Sequence, residues 1–439
     1  MIGLTKVVWA ALPAVALQMP APLARLLEAA RGHNPALGVS RAQLAEQEAA
    51  AEQALAALLP TVHASGGYTR NQYEAVVSLP ANLLGAGPPT ELTPLTIQPY
   101  NAWSASVGLN VPLLTPVPLY RRAEAEHGRE ALAQAERASE AEVLLATARS
   151  YYRVVGAQGV ADAAVKALAT AEDNLKVTRV KREAGTQTRL AVDRAQVDVA
   201  RARQALVSAK QALAVAIRSL ETLSGERVTE RLPDPERPLL PAEGEAAATA
   251  EALAQRPELH QADELVRQQE LAVNEAWALW SPSLSGTASE TFTNATGFTG
   301  KSAYWAAGLS LTWTVDPWGT RAGLHRAQSA LEEQRARRKQ AQDSVRDEVH
   351  SAWLDVESGL ARVEQSDVEV VSARDGLGIT QQQYEAGTAT SLDVSQAQRD
   401  AFDAEATLAQ SRADLAAAVL ALAKAAGEPL LAPAVGGRP

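Results

Sequence analysis

The chain has 439 residues, a formal net charge of −10 and no cysteine. The acidic balance gives no basic footprint for nucleic acid. The missing cysteine excludes a disulfide framework, a thiol nucleophile, a zinc–thiolate site and an acylated lipoprotein cysteine. Alanine, leucine, valine, glutamine and glutamate dominate, a long-helix composition.

Residues 1–20 read as a secretory signal peptide, with Lys6 as the positive start and Val7 to Leu17 as an apolar run too short to span a bilayer. Residues 22–58 carry a helical pattern broken at Asn34-Pro35, and Pro60 ends it. Residues 61–73 are strand-like, and a proline-rich loop follows. Residues 102–113 alternate without a break: Trp103, Ala105, Val107, Leu109, Val111 and Leu113 on one face, Ser104, Ser106, Gly108 and Asn110 on the other. Pro112, Pro116 and Pro118 are read as stopping that strand, and one helix is expected from 120 to 184, about 95 Å long if continuous.

A Gly-Thr turn follows, with Gly185 in the left-handed position and Thr186 or Thr188 capping the next helix. Residues 188–224 then show a heptad seam: Val192, Ala195, Val199, Ala202, Leu206, Ala209, Leu213, Ala216, Leu220 and Leu223. Residues 226–247 hold four prolines and mixed charge and read as a linker.

The second half repeats this order. Residues 283–294 and 303–315 are strands; the first places Leu284, Gly286, Ala288 and Phe292 on one face, the second Trp305, Leu309, Leu311 and Trp313. Asp316-Pro317-Trp318-Gly319 reads as a turn into a helix from about 321 to 386, and a last helix runs to Ala426. The tail, 429–439, is rich in proline and glycine. The turn itself is duplicated. At a constant offset of 202, Glu183, Ala184, Gly185, Thr186, Thr188, Leu190 and Gln196 answer Glu385, Ala386, Gly387, Thr388, Thr390, Leu392 and Gln398. Such an internal repeat fixes an architecture of two halves, 21–225 and 248–428, each ending in a helical hairpin.

The strands are unusual in composition. The windows 61–120 and 281–315 hold only five charged residues, Arg70, Glu74, Glu91, Glu290 and Lys301, where a chain 21% charged would place about twenty. Strands with one apolar, aromatic-flanked face and one small polar face mark a transmembrane β-barrel around a wet lumen. Trp103, Val107, Leu109, Val111, Trp305, Leu309, Leu311 and Trp313 are candidate lipid-facing residues. Trp103, Tyr304, Trp305 and Trp313 are candidate aromatic girdles. A soluble sheet packed on helices also alternates, but these helices bury their faces in coiled-coil seams. Four strands cannot close a barrel, for which about eight is the minimum; two chains or three must share it.

Together these motifs resemble the TolC-like outer-membrane factors of Gram-negative tripartite efflux pumps and type I secretion systems. The residues carrying the resemblance are Glu183-Ala184-Gly185-Thr186 and Tyr384-Glu385-Ala386-Gly387-Thr388 with Leu392-Asp393-Val394 and Ala397-Gln398. Leu59-Pro60-Thr61, Ser65-Gly66-Gly67-Tyr68 and Val315-Asp316-Pro317-Trp318-Gly319-Thr320-Arg321 support it. The resemblance implies an α+β membrane protein and a homotrimer, with one twelve-stranded barrel in outer-membrane lipid and a periplasmic α-barrel of coiled-coil hairpins. It implies a passive export duct whose tips, Gly185, Thr186, Gly387 and Thr388, contact a periplasmic adaptor linked to an inner-membrane transporter. It further implies a periplasmic gate in which Tyr384 matches the family's aromatic and Asp393 an acid. Ala389, Gln396 and Ala191 stand where the family has an arginine and two acids, so Arg189 is expected to pair with Asp393 or Asp193 instead.

No catalytic constellation is present. The histidines at 33, 63, 127, 260, 325 and 350 include no pair three or four apart, so no helical metal pair exists. No P-loop, dinucleotide fingerprint or nucleophile elbow occurs. The helical charges read as solvated coiled-coil surface. No enzyme activity, metal or cofactor is expected. The competing reading is a non-channel periplasmic or surface coiled-coil scaffold.

Overall fold

A computed structural model describes residues 19–80, 92–235 and 244–431. The signal segment up to residue 18, the middle of the linker and most of the tail lie outside them. The order is α1 (Ala21–His33), α2 (Pro35–Ala56), β1 (Thr61–Arg70), β2 (Ala75–Pro80), β3 (Leu92–Gln98), β4 (Asn101–Leu114), α3 (Pro116–Glu183), α4 (Arg189–Ser224), α5 (Gly244–Gln255), α6 (Pro257–Ala278), β5 (Ser283–Thr293), β6 (Ala303–Thr312), α7 (Pro317–Ala386) and α8 (Ser391–Ala426). The chain divides into a helical unit and a second unit, Ala45–Ala131 with Ala262–Arg337, that carries the strands.

Prolines open helices here more than they end them. Pro35, Pro116, Pro257 and Pro317 all stand at a first helical position, where the missing N–H has no partner to lose and φ is already helical. The expected turn at Asp316–Gly319 is therefore the first turn of α7, with Asp316 Oδ1 accepting from Gly319 N at 2.9 Å. Pro116 and Pro118 likewise lie in the first turn of α3 rather than stopping β4. Pro112 sits inside β4, and the pairing register with β5 shifts between Pro112 and Leu114, the local irregularity a central-strand proline requires.

The main sheet is an antiparallel four-stranded meander, β1-β4-β5-β6. β2 and β3 form a separate hairpin inside the segment expected to be loop. Pro80 closes β2 and Pro94 lies inside β3, and both mask the alternation.

Among the described residues the helical unit has three apolar clusters. In the first, Leu23, Leu26 and Leu27 of α1 pack with Tyr151, Tyr152 and Val154 of α3, Leu220 of α4 and Leu420 of α8. Tyr151 and Tyr152 meet edge to face at 5.2 Å. In the second, Val345, Val349, Val356 and Val363 of α7 meet Leu415 and Leu422 of α8. The third is a small set of alanines, Ala161, Ala164 and Ala209. The α4 seam is buried at Val192, Ala195, Val199, Ala209, Ala216 and Leu220.

Small residues set the helix spacing. A Cβ placed on Gly159 would lie 2.5 Å from the Ala409 Cβ, and one on Gly156 would lie 3.1 Å from the Ala413 Cβ. α3 and α8 thus approach through glycine on one side and alanine on the other. Gly159→Ala gains helix propensity of about 0.5–1 kcal/mol but forces an overpacked contact costing about 1–3 kcal/mol. The expected outcome is a net loss of stability, read as a lower thermal midpoint in detergent; Gly38→Ala, where a Cβ meets open space, serves as the control and raises it.

Candidate channel face and helical tips

Strand register assigns the faces of the sheet. Tyr68 lies opposite Trp103, Ala64 opposite Val107 and Val62 opposite Leu109. Val107 then faces Glu290, Leu109 faces Ala288 and Val111 faces Gly286. Glu290 faces Trp305, Gly286 faces Leu309 and Leu284 faces Leu311. One continuous face therefore carries Trp103, Val107, Leu109, Val111, Trp305, Leu309 and Leu311. Trp305 and Leu309 are among its most exposed members, at 75% and 74%. Trp313 follows β6, is exposed, and donates from Nε1 to Trp280 O at 3.1 Å.

The opposite face holds Thr61, His63, Ser65, Ser104, Ser106, Gly108, Asn110, Ser285, Thr287, Ser289, Thr291, Gly308 and Ser310. Ser65 and Ser106 hydroxyls share a hydrogen bond of 2.8 Å across two strands. Tyr304 pairs with Thr291 and so stands on this polar face, not in the outer aromatic set. Glu290 is the reverse surprise: it interrupts the apolar face between Val107 and Trp305.

The two tips have the same backbone. Gly185 N bonds Arg182 O and Thr186 N bonds Lys181 O; Gly387 N bonds Tyr384 O and Thr388 N bonds Gln383 O. Both are Schellman closures around a left-handed glycine, φ 77° and 82°. The Thr186 and Thr388 hydroxyls donate back to the same carbonyls, Lys181 O and Gln383 O. The helix caps are Thr188 and Thr390, whose side chains accept from Ala191 N and Asp393 N. Asp393 completes a capping box, its Oδ2 accepting from Thr390 N and Thr390 Oγ1, both at 2.7 Å. Those hydrogen bonds hold its carboxyl below the usual range.

The gate candidates divide among separate contacts within one chain. Tyr384 is buried, its hydroxyl 2.9 Å from Thr178 Oγ1. Lys181 Nζ donates to Tyr384 O at 2.6 Å and lies 4.5 Å from the ring centroid. Arg189 Nε is 3.8 Å from Asp193 Oδ2, an exposed pair one turn apart. Gln396 Nε2 donates to Asp400 Oδ1 at 2.9 Å. Sequence reading missed Thr178 and Lys181; nothing local in α3 marks them, since their partner is about 200 residues away.

Not all helical charge is solvated surface. The Arg256 and Lys424 side chains are 3% and 5% exposed. Arg256 Nη2 bonds Glu258 at 2.9 Å, Lys424 Nζ bonds Glu348 at 3.0 Å, and Arg256 also bonds Glu348. Burial pushes the Glu348 carboxyl up, yet hydrogen bonds from Arg256 and Lys424 outweigh it and hold the group below its usual value.

In the strand-bearing unit, Glu124 Oε1 on α3 is buried and accepts no hydrogen bond among the described residues. Burial, then the neighbouring charge of Glu275, raises its pKa to about 7, with Arg121 opposing. Arg121 Nε itself bonds Glu275 Oε1 at 2.8 Å. Among the described residues no cluster of three metal-ligating side chains exists, and no helix is long and apolar enough to cross a membrane.

This pairing of long helical hairpins with a two-faced sheet is the fold of solved outer-membrane channels. Similar structures include the Vibrio cholerae outer membrane protein VceC, at TM-score 0.75 and 18% identity over 93% of this chain and 96% of that one. The open state of the Neisseria gonorrhoeae MtrE channel gives TM-score 0.77 and 20% identity, covering 93% and 89%. The sequence model of the family described as outer membrane efflux protein matches residues 26–226 and again 248–428, and the chain belongs to that family. The description of that family places its members in the outer membrane. A curated relative, the toluene efflux pump outer membrane protein TtgC of Pseudomonas putida, is 25% identical over 308 residues, 67% of this chain; the chain spans 62% of that protein's length.

Two outcomes test this geometry. Tyr384→Phe removes the bond to Thr178, a loss of about 1 kcal/mol, so amide exchange at both tips speeds severalfold while exchange around Tyr151 stays unchanged. Glu124 binds a proton more tightly folded than unfolded, so between about pH 4.5 and 7 the native state holds more protons and stability falls as pH rises. Glu124→Gln flattens the thermal midpoint across that window, and an unchanged slope would reject the assignment.

Proposed function

We propose that three copies of this chain close one twelve-stranded barrel and one helical tunnel, forming a passive export duct of a tripartite efflux system. The observation that carries the reading is the sheet: four strands, an apolar outer face, a small polar inner face and two unpaired edges, β1 and β6. Closure by copies of the same chain satisfies both edges, since a barrel needs about eight strands or more. Family membership supports the same reading and disfavours the scaffold alternative.

In this reading the two halves, 21–225 and 248–428, are structural repeats joined by 226–247. Gly185, Thr186, Gly387 and Thr388 contact a periplasmic adaptor that couples the duct to an inner-membrane transporter. Support comes from the exposure of Leu190 and Leu392, 57% and 52%, at matching positions just beyond each turn. The gate is the set Tyr384, Asp393, Gln396, Arg189 and Asp193, with Thr178 and Lys181 added as the in-chain latch. The duct performs no catalysis and needs no cofactor; transport energy comes from the partner pump. The relative named for toluene efflux favours small molecules over secreted protein as cargo.

The test is membrane fractionation followed by gel electrophoresis with and without boiling. The expected band lies in the outer-membrane fraction, runs near three chain masses unheated and collapses to one on boiling. A soluble periplasmic monomer would overturn the duct.

A further inference from the structure

All four main strands meet their helices at one end of the sheet. β1 enters from α2 at Thr61, β4 leaves for α3 at Leu114, β5 enters at Ser283 and β6 leaves at Thr312. Arg70, Asn101, Thr293 and Ala303 mark the far rim. On the apolar face at that rim the register sets Tyr68 opposite Trp103 and Arg70 opposite Asn101.

These four residues are organised around one amide. Asn101 Oδ1 accepts from Tyr68 Oη at 2.9 Å and from Arg70 Nη1 at 3.0 Å. Its backbone is held in turn by Asn294, whose Nδ2 donates to Asn101 O at 2.6 Å while its Oδ1 accepts from Trp103 N at 2.8 Å. The guanidinium is thus oriented by a neutral group. Arg70 is exposed and forms no ion pair among the described residues, so most of its donors stay open. Tyr68 and Trp103 beside it are 66% and 46% exposed. Toward the helices the same face turns apolar at once, with Gly66 and Ala105, Ala64 and Val107, Val62 and Leu109.

We propose that Tyr68, Arg70, Asn101 and Trp103 bind the phosphoryl headgroup of a lipid in the outer leaflet. The inference rests on the outer-membrane barrel reading, which puts this rim at headgroup level, where tyrosine, tryptophan and arginine collect. A planar guanidinium with free donors matches a phosphate in fork geometry. The aromatic rings flank the glycerol or sugar, and the apolar rows take the acyl chains. Glu290 lies on the same face between Val107 and Trp305. Its negative charge disfavours a phosphate on the β5–β6 side and directs the headgroup toward β1 and β4.

The experiment uses the full chain as the detergent-solubilised oligomer, with each variant first checked for outer-membrane recovery and heat-modifiable migration. Binding is read by native mass spectrometry in micelles doped with a bisphosphorylated disaccharide lipid, its dephosphorylated counterpart, or inorganic phosphate alone. The wild type retains the phosphorylated lipid and neither of the others. Arg70→Met weakens that retention about tenfold or more, the loss of a charge-assisted contact, and Arg70→Lys restores part of it. Equal retention by Arg70→Met, or retention of the dephosphorylated lipid by the wild type, overturns the site. Inorganic phosphate competing at millimolar concentration marks a free-anion site and overturns the lipid assignment. If the wild type never reaches the outer membrane as an oligomer, the duct reading fails; an intact oligomer with unchanged lipid binding defeats only the headgroup site.

Discussion

The outer edges of β1 and β6 carry rows of N–H and C=O groups that no other strand among the described residues pairs. In lipid each such group costs several kcal/mol, because no water replaces the missing partner. The face between those edges is apolar, so the sheet belongs in lipid, and in lipid it cannot exist with open edges. The proposed assembly follows from that conflict. It also explains why one chain looks incomplete: Leu309, Leu311 and Trp305 are largely exposed, which a water-soluble sheet would not tolerate over such an area. The exposed leucines and valines of the helices, such as Val165, Val207, Leu354 and Val368, fit the same need for neighbouring copies.

Much of this was legible in the sequence because the relevant signals are local. A period of two over ten residues, free of interior charge in β4 and β6, defines those strands and their faces. The glycine at a helix end defines the tips, since only a residue without Cβ adopts that left-handed position cheaply. The α4 seam, Val192 to Leu220, is legible for the same reason. What escaped has two physical origins. Proline is ambiguous by itself: it ends a helix from the inside but opens one at the first position, and a capping residue before it, such as Asp316, also fits a turn. Hidden alternation is the second. The β2–β3 hairpin is short and interrupted by Pro80 and Pro94, and Glu290 stands on a face otherwise built of Leu284, Gly286, Ala288 and Phe292.

Long-range polar contacts were not legible at all. Arg256, Glu348 and Lys424 are spread over nearly 170 residues, and each taken alone looks like ordinary helix surface. Burial converts them into a mutually dependent set: with either cation removed, Glu348 would keep its burial and lose one of the two partners that offset it. Tyr384, Thr178 and Lys181 behave alike. The tyrosine was recognisable from its place beside the tip, but its partners lie on α3, and only packing brings them together.

The two halves match most closely where the backbone alone decides the geometry, and diverge where side chains meet. The Schellman turns at Gly185 and Gly387 are the same bond for bond. At the other end of the same helices, Gly225 packs on His33 and Gly427 on Gln255, again equivalent positions. Yet next to these, Asn34 donates to Leu223 O while its counterpart Arg256 enters the buried ion network. The caps diverge similarly: Thr390 is reinforced by Asp393 in a capping box, whereas Thr188 has Ala191 at that position and caps alone. A backbone closure depends on one glycine and survives drift elsewhere in the sequence. A side-chain bond needs two residues to change together. Asymmetry between the hairpins therefore accumulates in their side chains, and it leaves the tip after α7, with its capping box, better capped than the tip after α3.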